Sequence, residues 1–338
     1  MGLTALELAK ILREEQEHSL RWAGQHFDTM DDGHFSAIAI NDKECVLQPF
    51  PEFGGYIYRG QRQYYEPCRS SLHRNRPNKI ERLIEKIRQA EFEMLISNHP
   101  AVIDFSNSPD WSIVGLRCKI DYEGLAQHYG LKTELIDFTS NPFVAAFFAC
   151  CEYDRESNKW RPIEHGCQDG IIYKYNQAFD MAEEQEEPCS FVVGLQPLPR
   201  PAAQYAWCYR LPKRASLNSQ RFVSHFSFVH EPKVSTKIFE RFEGGEKLFP
   251  NDPVSNKAIE IAKANRLSRN AFNLAFSKYK QNKTEKILNN LSRKGIQIVN
   301  NREIIFSESE ILEIQREWNE RRYDLISRIH WRMACYPI

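Results

Sequence analysis

The sequence predicts an α+β protein, a compact mixed sheet with packed helices and a helical cap at its C-terminal side. Three observations predict it. Short β-branched or aromatic runs bounded by turn residues recur between positions 35 and 229, amphipathic stripes at helical spacing lie before and among them, and beyond about Pro253 the pattern becomes almost wholly helical. With 338 residues, 42% of them hydrophobic, the chain is long enough to bury a full core. The expected divisions are a lead-in over residues 1–50, an α+β domain over 50–250 and a helical subdomain over 251–338.

The elements follow in order. Thr4 with Glu7 three residues on is a capping box, and Leu8, Ile11 and Leu12 continue it as a helix toward Trp22. Residues 35–40 and 56–58 read as strands, the second preceded by Gly54-Gly55 and ended by Gly60, which puts Arg59 at a strand end. Apolar residues at 80, 83, 84, 87, 90 and 94 predict a helix that His99-Pro100 terminates. Asp121 caps a short helix, and Gly130 closes it in the left-handed conformation. Residues 133–139 alternate as a strand, and Asn141-Pro142 starts a helix whose body, 143–151, is apolar almost all round and therefore buried. Further strands are expected at 170–175, 190–195, 206–211 and 222–229, separated by an acidic loop at 183–187 and a proline-rich one at 197–201. Residues 255–302 hold eleven Lys or Arg against two Glu, and 303–324 hold seven acidic residues against three Arg, both in helical pattern apart from a short apolar stretch at 296–299. Ser307 and Glu310 form a second capping box, after which Ile311, Ile314, Trp318, Leu325 and Ile329 keep one face apolar.

Composition excludes several classes. A net formal charge of zero removes any global electrostatic preference for nucleic acid or membrane. The N-terminal residues carry no apolar signal-peptide core and no run approaches the length of a membrane span, so a cytoplasmic protein is expected. Nine cysteines, an odd count without a CxxC pair, point to reduced buried thiols, and no metal is expected.

Chemistry concentrates in residues 125–149, where polar, titratable and turn-forming residues sit between a short helical pattern and a very apolar one. Arg59, His128 and Asp137 make the best candidate cluster, each with two readings. Arg59 is either a scaffolding ion pair to Asp137 or a ligand anchor, and His128 either a hydrogen-bonded core histidine or a general base. Thr139 and Asn141 read as capping and turn residues as well as site residues. The cations of 255–302, interleaved with Phe272, Phe276 and Tyr279, are either a nucleic-acid surface or a solvated face balanced by the acidic last helix; the second is favoured.

Tyr58-Arg59-Gly60, His128-Tyr129-Gly130, the Thr133, Asp137 and Thr139 series and Ala145 with Phe148-Ala149 resemble the bacterial FRG domain, a module named for its Phe/Tyr-Arg-Gly motif. The resemblance runs over roughly residues 50–250, takes in the Gln204 segment and Leu248-Phe249-Pro250, and departs from the usual pattern at Lys132, Glu134 and Phe138. The same arrangement is similar to the core of ADP-ribosyltransferases, which pair a first-strand arginine with a hydroxyl-rich strand entering a buried helix. That likeness implies NAD or a related nucleotide as ligand. Catalytic candidates are then Arg59, His128 and Gln204; nucleotide-binding candidates are Tyr58, Arg59, Gly60, Tyr129, Thr133, Asp137, Thr139 and Ser140. Arg59 would grip a pyrophosphate bidentately, Thr139 and Ser140 would brace the strand, and Tyr58 or Tyr129 would stack on nicotinamide. Transferases of this type place a glutamate where Gln204 stands, so the amide implies slow chemistry, altered chemistry or binding without turnover, with Glu123, Glu134 and Asp137 as substitutes. The resemblance implies ADP-ribosyl transfer or NAD hydrolysis in bacterial anti-phage defence, with a macromolecular acceptor as partner. The alternative is a non-catalytic sensor of a nucleotide or phage component.

Overall fold

The computed structural model describes residues 2–22, 35–49, 55–107, 115–154, 157, 159–164, 169–177, 189–212, 215–277, 284–327 and 329–331. Gly54, the loop 183–187, Tyr279, Cys167 and Cys335 lie outside the described residues. In chain order the elements begin with α1 (Ala5–Trp22), β1 (Phe35–Ala39), β2 (Glu44–Pro49), β3 (Tyr56–Gln61), α2 (Lys79–Ser97), α3 (Pro100–Asn107), β4 (Arg117–Cys118), α4 (Tyr122–His128), β5 (Leu135–Thr139) and α5 (Pro142–Cys150). Next come β6 (Cys151–Asp154), β7 (Lys159–Pro162), β8 (Gly170–Asn176), β9 (Ser190–Val192), α6 (Pro199–Ala203), β10 (Ala206–Arg210), β11 (Val223–Phe228) and α7 (Pro232–Arg241). The last are α8 (Pro253–Lys263), β12 (Arg266–Ser268), α9 (Arg269–Ser277), α10 (Thr284–Arg293), β13 (Gln297–Val299), α11 (Glu308–Ser327) and β14 (Ile329–Trp331).

The fold is α+β. Its main sheet has six strands in the order β11-β8-β3-β5-β10-β9, antiparallel at every pair. Parallel and antiparallel pairing mix in a second sheet, β14-β1-β2-β4, whose outer pairs are parallel and whose central pair is antiparallel.

Local chemistry explains where several helices start. Thr4 Oγ1 accepts from Glu7 N at 3.3 Å while Glu7 Oε2 accepts from Thr4 N at 2.9 Å. The Ser307 and Glu310 box closes in the same way, at 2.7 and 3.3 Å. Asp121 Oδ1 caps α4 through Gly124 N at 2.8 Å, and Asn141 Oδ1 caps α5 through Phe143 N at 2.9 Å with Pro142 at the first helical position.

Helix α5 lies directly on β3. A Cβ added at Gly60 would stand 1.7 Å from the Ala145 carbonyl oxygen, so only glycine allows this approach. Val144, Ala145, Phe147 and Ala149 pack there with Tyr58, Ile172 and the α1 residues Leu8 and Leu12. A second core joins sheet residues such as Ile57, Phe138 and Trp207 to Val254, Ala258 and Ile261 of α8 and to Ile314, Trp318 and Leu325 of α11. A third joins α2 to α9 and α10.

Several expectations need correction. Arg59 lies inside β3, which continues to Gln61, because β8 pairs with it along its whole length. The helix over Lys79–Ser97 does end ahead of His99-Pro100 as expected, but a separate helix, α3, starts at Pro100. Ile329 does not continue the last helical face; it belongs to β14, which pairs with β1 at Phe35↔Ile329. The basic stretch contains a short parallel strand pair, β12 with β13. Three of its cations are ion-paired locally, Lys257 with Glu310 at 3.3 Å, Lys294 with Glu81 at 2.8 Å and Arg302 with Glu260 at 3.3 Å, while Phe272 is buried and stacks on Phe276. Among the described residues the cysteines are free thiols, no group of three or more His, Cys, Asp or Glu is placed to hold a metal ion, and no helix is long and apolar enough to cross a membrane.

Candidate functional site

The site forms where the main sheet splits. Strands β3 and β5 share a single registered pair, Tyr58↔Thr139, and then diverge. Arg59 fills the divergence: its Nη1 donates to the Asp137 carbonyl at 2.9 Å, doing what a strand amide would otherwise do, and reaches Asp137 Oδ2 at 3.4 Å. Asp137 Oδ1 accepts from Gln127 Nε2, and Gln127 Oε1 accepts from Thr133 Oγ1 and from Ser71 Oγ. One chain of hydrogen bonds therefore runs from the α4 end through β5 to the arginine. Arg59 Nε is buried with no hydrogen-bond partner among the described residues. An unpaired buried donor costs about 1–3 kcal/mol, a cost that a ligand accepting that bond would remove.

His128 lies at the end of α4 against Gln204. Gln204 Nε2 donates to the Leu248 carbonyl at 3.0 Å, which fixes the amide so that Oε1 faces His128 Nδ1, also at 3.0 Å. A carbonyl oxygen can only accept, so Nδ1 carries the proton, and of the two neutral tautomers this contact selects the one with its lone pair on Nε2. Nε2 is buried and has no partner among the described residues, and His128 lines the cleft. Gln204 is the residue after α6, two positions before β10, and both ends of its amide are committed to protein groups. It positions His128 rather than presenting a free group to a ligand.

These residues open onto a cleft of about 920 Å³. Tyr58, Arg59, Gly60, His128, Asp137, Thr139 and Gln204 all line it. The opposite wall is aromatic. Trp160 on β7 stacks on Phe249 with ring centroids 4.9 Å apart, and Phe148 and Tyr153 pack against Trp160 at 5.9 and 5.5 Å. Arg200 enters the cleft from α6, its guanidinium 5.3 Å from the Phe249 ring centre and 4.8 Å from that of Tyr129. Glu243 and Glu246 stand at the rim, where Glu243 is also ion-paired with Lys247 at 2.9 Å.

Three expected binding residues lie elsewhere. Tyr129 is buried behind the cleft, its hydroxyl donating to Asp252 Oδ2 at 3.0 Å, and burial beside that carboxylate raises its pKa well above the ordinary tyrosine value. Desolvation likewise raises the Asp252 carboxyl. Thr133 is buried and holds Gln127, and Ser140 is buried with its backbone amide bonded to Tyr205 O. Tyr58 touches the cleft, but its hydroxyl donates to Leu12 O at 3.2 Å, so its ring is core and not a stacking platform. Thr139 Oγ1 donates to Gln204 O at 2.8 Å and accepts from Asn141 N, bracing the strand end as expected. Of the substitute carboxylates, Asp137 is at the site, whereas Glu123 is engaged by Lys86 and Arg210 and Glu134 by His73.

Sequence reasoning missed Gln127, Tyr153, Trp160, Arg200 and Phe249 as site residues. Gln127 adjoins His128 and was the most accessible of them. Tyr153 and Trp160 carried only the alternation of a short hairpin, and Arg200 sat in a stretch read as a proline-rich loop. Residues 54–158 match the family profile described as FRG domain. This chain carries an FRG domain. The domain supplies Arg59, Gln127, His128 and Asp137, while Trp160, Arg200, Gln204 and Phe249 come from beyond the matched segment. Gly60 of the family's motif faces α5, so the motif couples a packing requirement to a polar site one residue away. No curated protein and no solved structure gives a significant match to the chain.

Proposed function

We propose that the FRG cleft binds NAD or a related nucleotide and cleaves its nicotinamide–ribose bond, by hydrolysis or by transfer to an acceptor. The observation that carries this reading is the unpaired edge of Arg59 beside the half-exposed carboxylate of Asp137, in a cleft with an aromatic wall. Arg59, already held by Asp137, offers Nε to a phosphate oxygen of the ligand. Arg200 adds a second cation, and Trp160 with Phe249 offers flat faces to a base. Asp137 uses one acceptor position on each oxygen for Arg59 and Gln127, and a carboxylate has about four such positions. It retains capacity for a ribose hydroxyl and sits where negative charge opposes a developing oxocarbenium ion. In hydrolysis, water adds to ribose C1′ as the C1′–N bond breaks. Nicotinamide leaves with the bonding pair, which cancels its pyridinium charge, and the proton of the water passes to His128 Nε2. In transfer, an acceptor nucleophile replaces water. Depletion of a nucleotide in this way would suit a bacterial defence role.

One observation favours a second reading. Gln204, with its amide fully committed, supplies no carboxylate of its own, which suits a sensor that binds without turnover. Nicotinamide release from NAD, measured with the wild type and with Arg59→Ala and His128→Ala, tests the proposal. Release that disappears in both variants supports it. No release together with an Arg59-dependent thermal shift on adding NAD favours the sensor, and neither signal refutes nucleotide binding.

A further inference from the structure

A second cleft, about 730 Å³, shares Gly60, Phe148, Tyr153 and Trp160 with the first. Four arginines stand on its wall, Arg62, Arg69, Arg74 and Arg76, against two carboxylates, Glu66 and Glu152. Both carboxylates are already taken. Glu66 accepts from the Tyr64 hydroxyl at 2.6 Å and from Asn218 at 2.9 Å, and Glu152 is paired with Arg62 at 2.5 Å and Arg161 at 2.7 Å. Arg69, Arg74 and Arg76 have no carboxylate partner among the described residues, and Arg69 Nε is buried without a hydrogen bond. Arg76 holds its place in a left-handed conformation, φ 48°, with its amide bonded to His73 O at 3.2 Å. Tyr65 and Tyr153, the latter with its ring against Trp160, are 39% and 44% exposed at the same cleft.

Three guanidinium groups without a carboxylate partner among the described residues, all within eight residues, exceed what one phosphate needs, since a single phosphoryl group is held by one or two bidentate forks. They suit successive phosphates of a strand. Exposed aromatic faces beside them suit unstacked bases, because every base has a π face and stacking tolerates any sequence. A phosphorylated peptide would use the cations and leave the rings without a role. We propose that this second cleft binds single-stranded nucleic acid, with phosphates on Arg69, Arg74 and Arg76 and bases against Tyr65 and Tyr153. The zero net charge of the chain is compatible with this, because the cations are concentrated locally.

The test is fluorescence anisotropy of a 3′-labelled decathymidylate with the full chain at 50 and 200 mM salt, without nucleotide, so that it stands apart from the reading of the first cleft. Three phosphate contacts on a single strand give a salt slope of about −2, and the wild-type affinity should fall about 20-fold between the two salts. Arg74→Gln with Arg76→Gln should weaken binding at least about tenfold at 50 mM salt and flatten the salt dependence, with an unchanged melting temperature. Adding Arg69→Gln should deepen the loss; the exposed pair alone keeps the test valid if that third change lowers stability. Equal affinity of wild type and double variant, absence of micromolar binding, or binding of a phosphoserine peptide with none of the oligonucleotide would each overturn the proposal.

Discussion

Replacing Gly60 by alanine inserts one methyl group between β3 and α5. The added Cβ meets Ala145 O at 1.7 Å, Ala145 C at 2.7 Å and Ala149 N at 3.0 Å. All three are backbone atoms, so no change of rotamer relieves the clash. Ordinary contact begins near 3.4 Å, and helix and strand must therefore separate by about 1.7 Å. A gap of about 0.5–1 Å already forfeits a quarter to a half of each van der Waals contact across it, and here Val144, Ala145 and Ala149 face Tyr58 and Ile172. Overpacking by a methyl costs about 1–3 kcal/mol where side chains yield. With backbone on both sides, about 4 kcal/mol is expected, at the exceptional end for a point substitution. Urea unfolding of wild type, Gly60→Ala and Gly130→Ala measures it. Gly130 has φ 87° and nothing within 4 Å of an added Cβ, so its variant isolates the conformational penalty, about 1–2 kcal/mol. A Gly60→Ala protein no less stable than Gly130→Ala would refute the reasoning.

Three other outcomes are expected. Burial, reinforced by Arg321, holds the His99 pKa at about 3, so the unfolded chain binds a proton that the fold excludes. Its contribution is complete above about pH 6.5 and lost as pH falls toward 3; urea midpoints should show the wild type losing about 2 kcal/mol more between pH 7 and 5 than His99→Phe. Gln204→Ala leaves His128 Nδ1 and Leu248 O without partners and should cost about 2 kcal/mol in thermal unfolding, with cleft activity lost as the imidazole loses its fixed tautomer. Asp137→Asn should lower nicotinamide release about 10²-fold with nucleotide affinity largely retained, whereas an equal loss of both would make Asp137 a support for Arg59 alone.

What could be read in advance was local. Thr4 with Glu7, Ser307 with Glu310, Asp121 and Asn141-Pro142 announce their helices because a cap and the amides it satisfies lie within three residues of each other. Arg59, His128 and Asp137 also stood out in the sequence, Arg59 beside Gly60 and the other two in a titratable stretch that precedes a very apolar helix, and all three line the cleft. The split between β3 and β5 was not readable. It depends on β8 extending the pairing of β3 past Arg59, and nothing near Arg59 encodes residues 170–176. Tyr129 illustrates the same limit: its neighbours suggested a stacking ring, but Asp252, more than a hundred residues later, claims its hydroxyl. Trp160 and Phe249 form one aromatic wall only because α5 and the turn after α7 bring them together.

The pairing of β1 with β14 bears on how the molecule is made. Phe35 waits for Ile329, and Arg321 of α11 donates to Pro197 O at 2.6 Å, just ahead of the α6 turn that carries Arg200 and Gln204. Contacts of such long sequence separation form late, and synthesis supplies the last helix only after every other wall of the cleft has emerged. A nascent chain that has not yet produced α11 thus lacks the tie that secures one side of its own pocket.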